Sequence, residues 1–217
     1  MTKVLLIVPT RGRPDQSIDF YNQFIKTTSP NTTLCFGLDD DDVEYPRIDG
    51  VVYEVNPRAM MNGTLNLIAN KYANDYDYIA FLGDDHRPRT QDWDMALVNS
   101  IKDVKYGIAY GDDLLQGANL PTAVLLDAEI VRKLGFMAPP AMKHLYLDNF
   151  WKETGERLGT LRYSGDVIVE HMHYLNGKAV EDAGYQEVNS TGIAFHDFVA
   201  FNKYKADEFD KDLAKLI

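Results

Sequence analysis

Short apolar segments alternate with helix-like segments along the first part of the chain, and this alternation constrains the fold more than any other feature. The apolar segments are rich in β-branched and aromatic residues, and their lengths suit buried strands. They occupy residues 3–8, 33–38, 51–55 and 78–82, and the helix-like segments occupy residues 15–26 and 61–73. Such alternation is typical of a mostly parallel sheet covered by helices. The sequence therefore predicts an α/β fold.

Beyond Gly107 the pattern becomes mixed. Strand-like and helix-like segments still fit an α/β sheet, but they no longer alternate regularly. The strand-like segments lie around residue 108 and at residues 123–126 and 167–170, and the helix-like segments lie at residues 128–134 and 147–158.

Two further helices are indicated by their side chains. Thr90 supplies an N-cap hydroxyl for a helix that continues through Trp93 and Leu97. The C-terminal segment at residues 194–217 is predicted to be helical, because apolar residues recur on one face. That face consists of Phe195, Phe198, Val199, Phe209, Leu213 and Leu216. Since there is no internal repeat or linker, we expect residues 1–217 to form one domain that ends in this segment.

The composition favours a globular protein with one substantial core. Of the 217 residues, 45% are hydrophobic and 25% are charged, which suits a single domain. The net charge of −11 and the pI near 4.8 argue against a general nucleic-acid surface, because phosphate binding draws on clustered Lys and Arg. No stretch approaches the roughly 18 apolar residues of a membrane span, and the N-terminal apolar run is too short for a signal peptide. We therefore expect a cytoplasmic protein with no membrane partner.

Two polar segments carry candidate metal ligands. The apolar run at residues 78–82 leads into the sequence Gly-Asp-Asp-His at residues 83–86. A second strand-like run, residues 167–170, leads into His171 and His173, which would share one face of a strand. Carboxylate oxygens and imidazole nitrogens bind divalent cations, and ligands gather at the carboxyl ends of strands in α/β sheets. The alternatives are a solvated acidic turn and histidines with structural roles.

Four motifs stand in an order that a known family shares. The first strand is followed by a Pro-Thr-Arg-Gly-Arg-Pro loop at residues 9–14, and the second by four aspartates at residues 39–42. Phe-Leu-Gly-Asp-Asp follows at residues 81–85, and Leu-Asp-Asn at residues 147–149. In this order and spacing, residues 3–175 resemble the GT-A glycosyltransferases of the family-2 type. The resemblance implies a Rossmann-like, nucleotide-binding sheet and transfer of a sugar from a nucleotide-sugar donor.

The resemblance also implies roles for residues near the donor. Family members bind the nucleotide between the loop after the first strand and the acidic residues after the second. The matching residues here are Pro9, Thr10, Arg11 and Arg13 beside the nucleotide, Asp39 and Asp40 on its base or ribose, and Asp84 of the acidic motif. Arginine suits such a place, because its planar guanidinium pairs with phosphate or stacks on a base. The alternative is a pair of solvated polar loops.

The family's metal-binding Asp-x-Asp motif is imperfect in this chain. One alignment puts Gly83 at the first acidic position and Asp85 at the second, whereas the other reads residues 84–86 as Asp-Asp-His. Asp85 is a metal ligand in either case, and His171 or His173 matches the family's additional ligand. Oxygen ligands with one imidazole suit Mn²⁺ or Mg²⁺ better than a structural zinc site.

Asp148 matches the carboxylate that acts as the catalytic base in inverting members of the family. A base at this position would take the acceptor proton while the acceptor oxygen attacks the anomeric carbon. Leu147 departs from the family pattern, in which a second acidic residue is common at that position. The alternative for Asp148 is a carboxylate that stabilises the helix dipole.

Together these features predict a metal-dependent glycosyltransferase that transfers a hexose or pentose with inversion. The donor would be a nucleotide-sugar, most often a UDP-sugar in this family, and the acceptor a saccharide, a protein or a modified nucleic-acid base. Two other classes stay open. A sugar nucleotidyltransferase would need a Gly-rich loop with a lysine, whereas residues 9–13 contain one glycine. A non-catalytic nucleotide- or carbohydrate-binding module is the second alternative.

Overall fold

Eight strands form a single curved sheet in the computed structural model, which describes residues 2–217. In chain order they are β1 Val4–Pro9, β2 Thr32–Asp39, β3 Val52–Asn56, β4 Tyr78–Phe81, β5 His86–Pro88, β6 Ile108–Asp112, β7 Val124–Asp127 and β8 Leu161–His171. Across the sheet, the order is β3-β2-β1-β4-β7-β6-β8-β5. Four neighbouring pairs are parallel and three are antiparallel. The predicted α/β fold with a mostly parallel sheet is confirmed.

Eight α-helices within residues 2–217 flank this sheet. They are α1 Pro14–Thr27, α2 Met60–Tyr72, α3 Trp93–Ile101, α4 Ala128–Leu134, α5 Leu147–Leu158, α6 Ala183–Val188, α7 Thr191–Asp207 and α8 Phe209–Ala214. Pro14 begins α1, where its fixed φ suits a helix, and Gly159 ends α5 with a left-handed backbone. In the part of the chain that the structure describes, no helix combines the length and the apolar character that crossing a bilayer requires.

Alternation along the central strands divides the core into two layers. Leu5 and Ile7 of β1 contact the layer that contains α2, α4, α5, α7 and α8, whereas Val4, Leu6 and Val8 contact the layer that contains α1 and α3. All five side chains are fully buried. Helices cover both faces of the central sheet, which is why β1 is apolar along its length. This packing on both faces fixes the position of the carboxyl end of β1.

β8 changes partners along its length. Its first part, residues 161–164, pairs in parallel with β6, and its last part pairs antiparallel with β5. The register shifts at Gly111 of β6, where a Cβ atom would lie 2.2 Å from the carbonyl oxygen of Val167. Only glycine fits so close an approach. The shift brings His171, at the end of β8, directly opposite His86, at the start of β5.

The N-terminus of α3 differs from the prediction. The helix begins at Trp93, after Asp92 with a left-handed backbone, so Thr90 is not its N-cap. The Thr90 hydroxyl instead accepts a hydrogen bond from the backbone amide of Ile168 at 2.8 Å. The Thr90 hydroxyl therefore contacts β8, which is far away in the sequence, instead of capping α3. The local sequence around Thr90 could not reveal this contact.

The C-terminal segment is helical, as α7 and α8, but its buried face differs from the predicted one. Of the six apolar residues expected to face the core, the last three are buried and the first three, Phe195, Phe198 and Val199, are exposed. Asp197 is fully buried instead, because its carboxylate accepts hydrogen bonds from the backbone amides of residues 143–145 at 2.8 to 2.9 Å. The predicted face is wrong for the first half of the segment, since a satisfied carboxylate turns inward there.

Candidate metal and nucleotide site

The carboxyl ends of β1, β2, β4, β6 and β8 lie at one edge of the sheet, beside a cavity of about 590 Å³. This volume is typical of small-molecule sites. The sequence-predicted residues on its wall are Pro9, Thr10, Arg11, Arg13, Asp39, Asp84, Asp85, Asp148, His171 and His173. Asp40 is exposed and lies outside this lining. The topology therefore brings together every predicted site residue except Asp40.

Asp84 is buried against the loop that follows β1. The Thr10 hydroxyl donates to its Oδ2 at 2.6 Å, and Nη1 of Arg13 donates to its Oδ1 at 2.8 Å. Burial raises the pKa of Asp84, against the opposing effect of the Arg13 guanidinium. Because both carboxylate oxygens are engaged, Asp84 fixes the position of this loop.

Asp85 is the centre of a second group of polar side chains. Its Oδ2 accepts a hydrogen bond from the Tyr185 hydroxyl at 2.7 Å and lies 3.3 Å from Nε2 of His171. Its Oδ1 lies 3.3 Å from Nδ1 of His86. Burial alone would raise the pKa of Asp85, but the neighbouring His171 holds it well below its ordinary value. Asp85 is therefore an ionised carboxylate in a buried place.

The rings of His86 and His171 stack with their centroids 4.1 Å apart, yet the two differ in charge. Nδ1 of His86 accepts a hydrogen bond from the Gly83 amide at 3.1 Å, and burial lowers the pKa of this ring. Burial acts against a charge on His171 as well, but the carboxylates of Asp113 and Asp85 raise its pKa to about 9. The His171 imidazolium thus supplies a positive charge between two buried carboxylates.

Asp85, His86 and His171 fit a divalent cation. One donor atom from each lies within 4.8 Å of the others, and a cation there could replace the His171 proton as the positive charge. Nε2 of His171 lies beside Asp85 and is the nitrogen that could bind the cation, whereas Nδ1 lies on the side of Asp113. One carboxylate with two imidazoles suits a transition metal such as Mn²⁺ better than it suits Mg²⁺, which prefers a shell of oxygen ligands.

Asp113, which the sequence analysis did not single out, lies behind His171. Its Oδ1 accepts hydrogen bonds from the backbone amides of residues 115–117 at 2.6 to 2.9 Å, and its Oδ2 accepts one from the Thr122 hydroxyl at 2.7 Å. Oδ2 also lies 3.8 Å from Nδ1 of His171. Burial opposes ionisation, but His171 and these hydrogen bonds hold the pKa of Asp113 well below its ordinary value. Asp113 is thus a fixed anion on the side of His171 away from Asp85.

His173 occupies a different environment from His171. β8 ends at His171, so the alternation that would put both side chains on one face does not continue. Nδ1 of His173 accepts a hydrogen bond from the Leu175 amide at 3.2 Å, and its ring lies edge-on to that of His171. Within the described residues, the group of possible metal donors does not include His173.

Asp148 lies in the first turn of α5, on the cavity wall. The helix follows Tyr146, whose left-handed backbone turns the chain into it. Oδ1 of Asp148 accepts a hydrogen bond from the Asn149 amide at 2.8 Å, and burial raises the pKa of the carboxyl group. A raised pKa makes a carboxylate a stronger proton acceptor.

Gly83 explains why the acidic motif is imperfect. A Cβ atom at this position would lie 2.6 Å from Oδ1 of Asp85 and 3.0 Å from Nδ1 of His86. An aspartate here would therefore displace both groups. The His86 imidazole fills the space next to Asp85, so only a residue without a side chain fits at position 83.

Arg58 and Tyr185 line the cavity but were not predicted. Arg58 and Arg11 both approach the carboxylate of Asp39. Oδ2 of Asp39 lies 2.9 Å from Nη1 of Arg11 and 3.9 Å from Nε of Arg58. Tyr185 is 100 positions from Asp85 in the chain. An isolated arginine in a loop or tyrosine in a short helix gives no local pattern, so the sequence alone does not reveal these residues.

The fold is similar to the folds of solved glycosyltransferases. A mannosyltransferase from Pyrobaculum calidifontis, solved with GDP-Man and Mn²⁺, is 13% identical and covers 99% of this chain and 72% of its own, with a TM-score of 0.62. Glucosyl-3-phosphoglycerate synthase from Mycobacterium tuberculosis, solved with Mn²⁺, UDP and glucosyl-3-phosphoglycerate, is 11% identical and covers 92% and 80%, with a TM-score of 0.60. TarS from S. aureus is 11% identical and covers 77% of this chain but 36% of its own, with a TM-score of 0.57.

At the level of sequence, no family model and no curated protein matches this chain. The likeness therefore lies in the arrangement of strands and helices, where it extends over nearly the whole chain. The expected fold is confirmed: the protein has the GT-A fold of nucleotide-diphospho-sugar transferases.

Proposed function

We propose that this protein is a metal-dependent glycosyltransferase that transfers a sugar from a nucleoside diphosphate to a hydroxyl acceptor. The observation that carries the proposal is the group of Asp85, His86 and His171 in the same cavity as three arginines. Ligands for a divalent cation beside guanidinium groups suit a metal-bound diphosphate. The neighbours solved with Mn²⁺ and GDP-Man or UDP support this proposal.

Asp85 and His171 would hold the cation, with His86 as a third donor. The mixed oxygen and nitrogen ligands favour Mn²⁺ over Mg²⁺. When bound, the metal would offset the negative charge on the leaving diphosphate.

The loop at residues 9–13 would hold the nucleotide together with Asp39. Thr10 and Arg13 fix this loop through Asp84, and Arg11 pairs with Asp39. Asp39 borders the cavity, whereas Asp40 does not, so Asp39 is the better candidate to bind the ribose or base. UDP-sugars are the first donors to test, followed by GDP-sugars.

Asp148 would act as the base of an inverting transfer. The acceptor oxygen bonds to the anomeric carbon, the bond between that carbon and the diphosphate oxygen breaks, and the acceptor proton passes to the Asp148 carboxylate. Burial raises the pKa of Asp148, which brings its basicity closer to that required near neutral pH. The acceptor is a hydroxyl group of a saccharide, a protein or a modified nucleic-acid base.

A panel of nucleotide-sugars tests the proposal directly. We expect at least one donor to release its nucleoside diphosphate in the presence of Mn²⁺, and EDTA to stop the release. Release of inorganic pyrophosphate from a nucleoside triphosphate in the presence of a sugar phosphate would identify a sugar nucleotidyltransferase instead. Nucleotide or saccharide binding without turnover of any donor would identify a binding module.

The two histidines at the end of β8 are expected to differ in their contribution to metal binding. His171→Ala should weaken Mn²⁺ binding by about a hundredfold or more, because it removes a direct ligand and losses from supporting residues alone reach that range. His173→Ala should change it by less than about threefold, because this ring lies outside the group of donors. Titration of Mn²⁺ by electron paramagnetic resonance measures both, and equal losses in the two variants would contradict the assignment.

Asp113 is expected to orient His171 for the metal. Asp113→Asn should weaken Mn²⁺ binding by about tenfold to a hundredfold, the usual effect of losing a carboxylate behind a ligating histidine. The neighbouring Asp112→Asn is the control, because Asp112 accepts a hydrogen bond from Leu114 and does not approach His171. In a His171→Ala background, Asp113→Asn should have little further effect. A further loss of the same size would show that Asp113 acts only on the fold.

A further inference from the structure

The segment between β8 and α7, residues 174–190, forms part of the cavity wall and is called the strap here. α6 lies within the strap, and Asp182 immediately precedes it. The strap contributes Asp182, Tyr185 and Glu187 to the cavity wall. Each of the three side chains contacts a group that a metal-bound diphosphate would also require.

Arg13 is paired on two sides. Its Nη1 donates to Asp84, and its Nε and Nη2 donate to the two carboxylate oxygens of Asp182 at 2.7 and 2.8 Å. The guanidinium also lies over the ring of Tyr185, 4.7 Å from the ring centroid. A bidentate pair of this kind has the geometry with which arginine binds phosphate. A phosphate group can therefore reach Arg13 in this manner only in place of Asp182.

Glu187, later in the strap, pairs with a second arginine. The carboxylate of Glu187 accepts a hydrogen bond from Nη2 of Arg58. Between the two ion pairs, the Tyr185 hydroxyl donates to Oδ2 of Asp85, the proposed metal ligand. The strap thus supplies carboxylates to two arginines and a hydrogen-bond donor to the carboxylate that would hold the cation.

We propose that Asp182 and Glu187 act as internal competitors for the donor phosphates, because a ligand must displace both carboxylates from Arg13 and Arg58. A nucleoside monophosphate has one phosphate group and can replace one ion pair for the two that are broken. A nucleoside diphosphate with its divalent cation can replace both. Since both ion pairs are lost in either case, the competition weakens the binding of both ligands by a similar factor, and only the metal-bound diphosphate regains both pairs. This inference rests on the proposed function of the site.

The strap also provides a matched control. Glu181 is exposed and makes no hydrogen bond or ion pair within the described residues, whereas its neighbour Asp182 is bonded to Arg13. Glu181→Gln and Asp182→Asn remove the same charge at adjacent positions. A general effect of negative charge on anion binding would appear in both variants, and displacement from Arg13 would appear only in Asp182→Asn.

The test measures the affinities of UDP, GDP and the corresponding monophosphates by calorimetry, with and without Mn²⁺. The double variant Asp182→Asn/Glu187→Gln should bind the preferred diphosphate about tenfold more tightly than the wild type, because two partly exposed ion pairs no longer compete. Its affinity for the monophosphate should rise by a similar factor. Glu181→Gln should leave both affinities unchanged.

Trypsin cleavage after Lys178, followed by mass spectrometry, tests the ion pairs without any nucleotide. We expect cleavage of the double variant to be several times faster than cleavage of the wild type and of Glu181→Gln. If cleavage is faster but neither protein binds a nucleotide, the proposed function fails, and the proposed competition with it. If nucleotides bind but the double variant binds them equally or more weakly, the competition alone is overturned.

Discussion

Asp148→Asn is expected to lower turnover by about two to four orders of magnitude while donor affinity stays within a fewfold of wild type. The substitution keeps the size of the side chain and an oxygen that can accept the hydrogen bond from the Asn149 amide. It removes the proton acceptor, and a positioned general base usually contributes about 10² to 10⁴ in rate. Initial rates of nucleoside diphosphate release, with donor affinity measured separately, check the two expectations.

Glu156→Gln is the control for this variant. Glu156 is an exposed carboxylate on the same helix, α5, and its loss should not change turnover. If Asp148→Asn kept turnover within a fewfold of wild type, Asp148 would be excluded as the base. That result would favour a retaining mechanism, in which the carboxylate helps to position the sugar.

Asp85→Ala is expected to abolish Mn²⁺-dependent nucleotide binding, with a loss of about two orders of magnitude or more in metal affinity. Asp85 is the carboxylate of the Asp85, His86 and His171 group, and losses of up to about a hundredfold follow even from removing residues behind a metal ligand. Calorimetry of UDP and GDP with Mn²⁺ measures the effect.

The fold should survive this substitution. Removal of Asp85 breaks its buried pair with His171, but the charge of His171 keeps a second carboxylate, that of Asp113, beside it. Asp75→Ala is the control, because Asp75 is exposed and precedes β4 at the opposite edge of the sheet. Unchanged nucleotide binding by a folded Asp85→Ala protein would refute the assignment of Asp85 as the metal ligand.

The strands of the central sheet could be predicted from sequence because their burial is local. β1, β2 and β4 are apolar runs covered on both faces, and their observed ends lie within one residue of the predicted ones. The carboxyl ends of these strands then had to lie together. The assignment of Thr10 and Asp39 to the nucleotide and of Asp85 to the metal came from the resemblance to GT-A glycosyltransferases. The strand predictions needed only the periodicity of the chain and the rules of parallel sheets.

The details that sequence could not provide depend on contacts between distant segments. Only one of the two alignments of the acidic motif includes His86, yet the pairing of β5 with β8 places it against His171. Asp113 gave no pattern, because its partners are backbone amides and a histidine in another strand. The inward face of α7 was missed for the same reason, since hydrophobicity cannot foresee a buried Asp197 that caps a loop.

The pairing of β5 with β8 has a consequence for how the protein folds. Asp85 and His171 are 86 positions apart in the chain, so the two sides of the metal group meet only when the long segment between them has been closed into a loop. Closing such a long loop is entropically costly, and contacts of this kind form late. A cation at this site would therefore bind the native state and not its early intermediates. At about a hundred times its dissociation constant, it would stabilise the native state by about 2.7 kcal/mol.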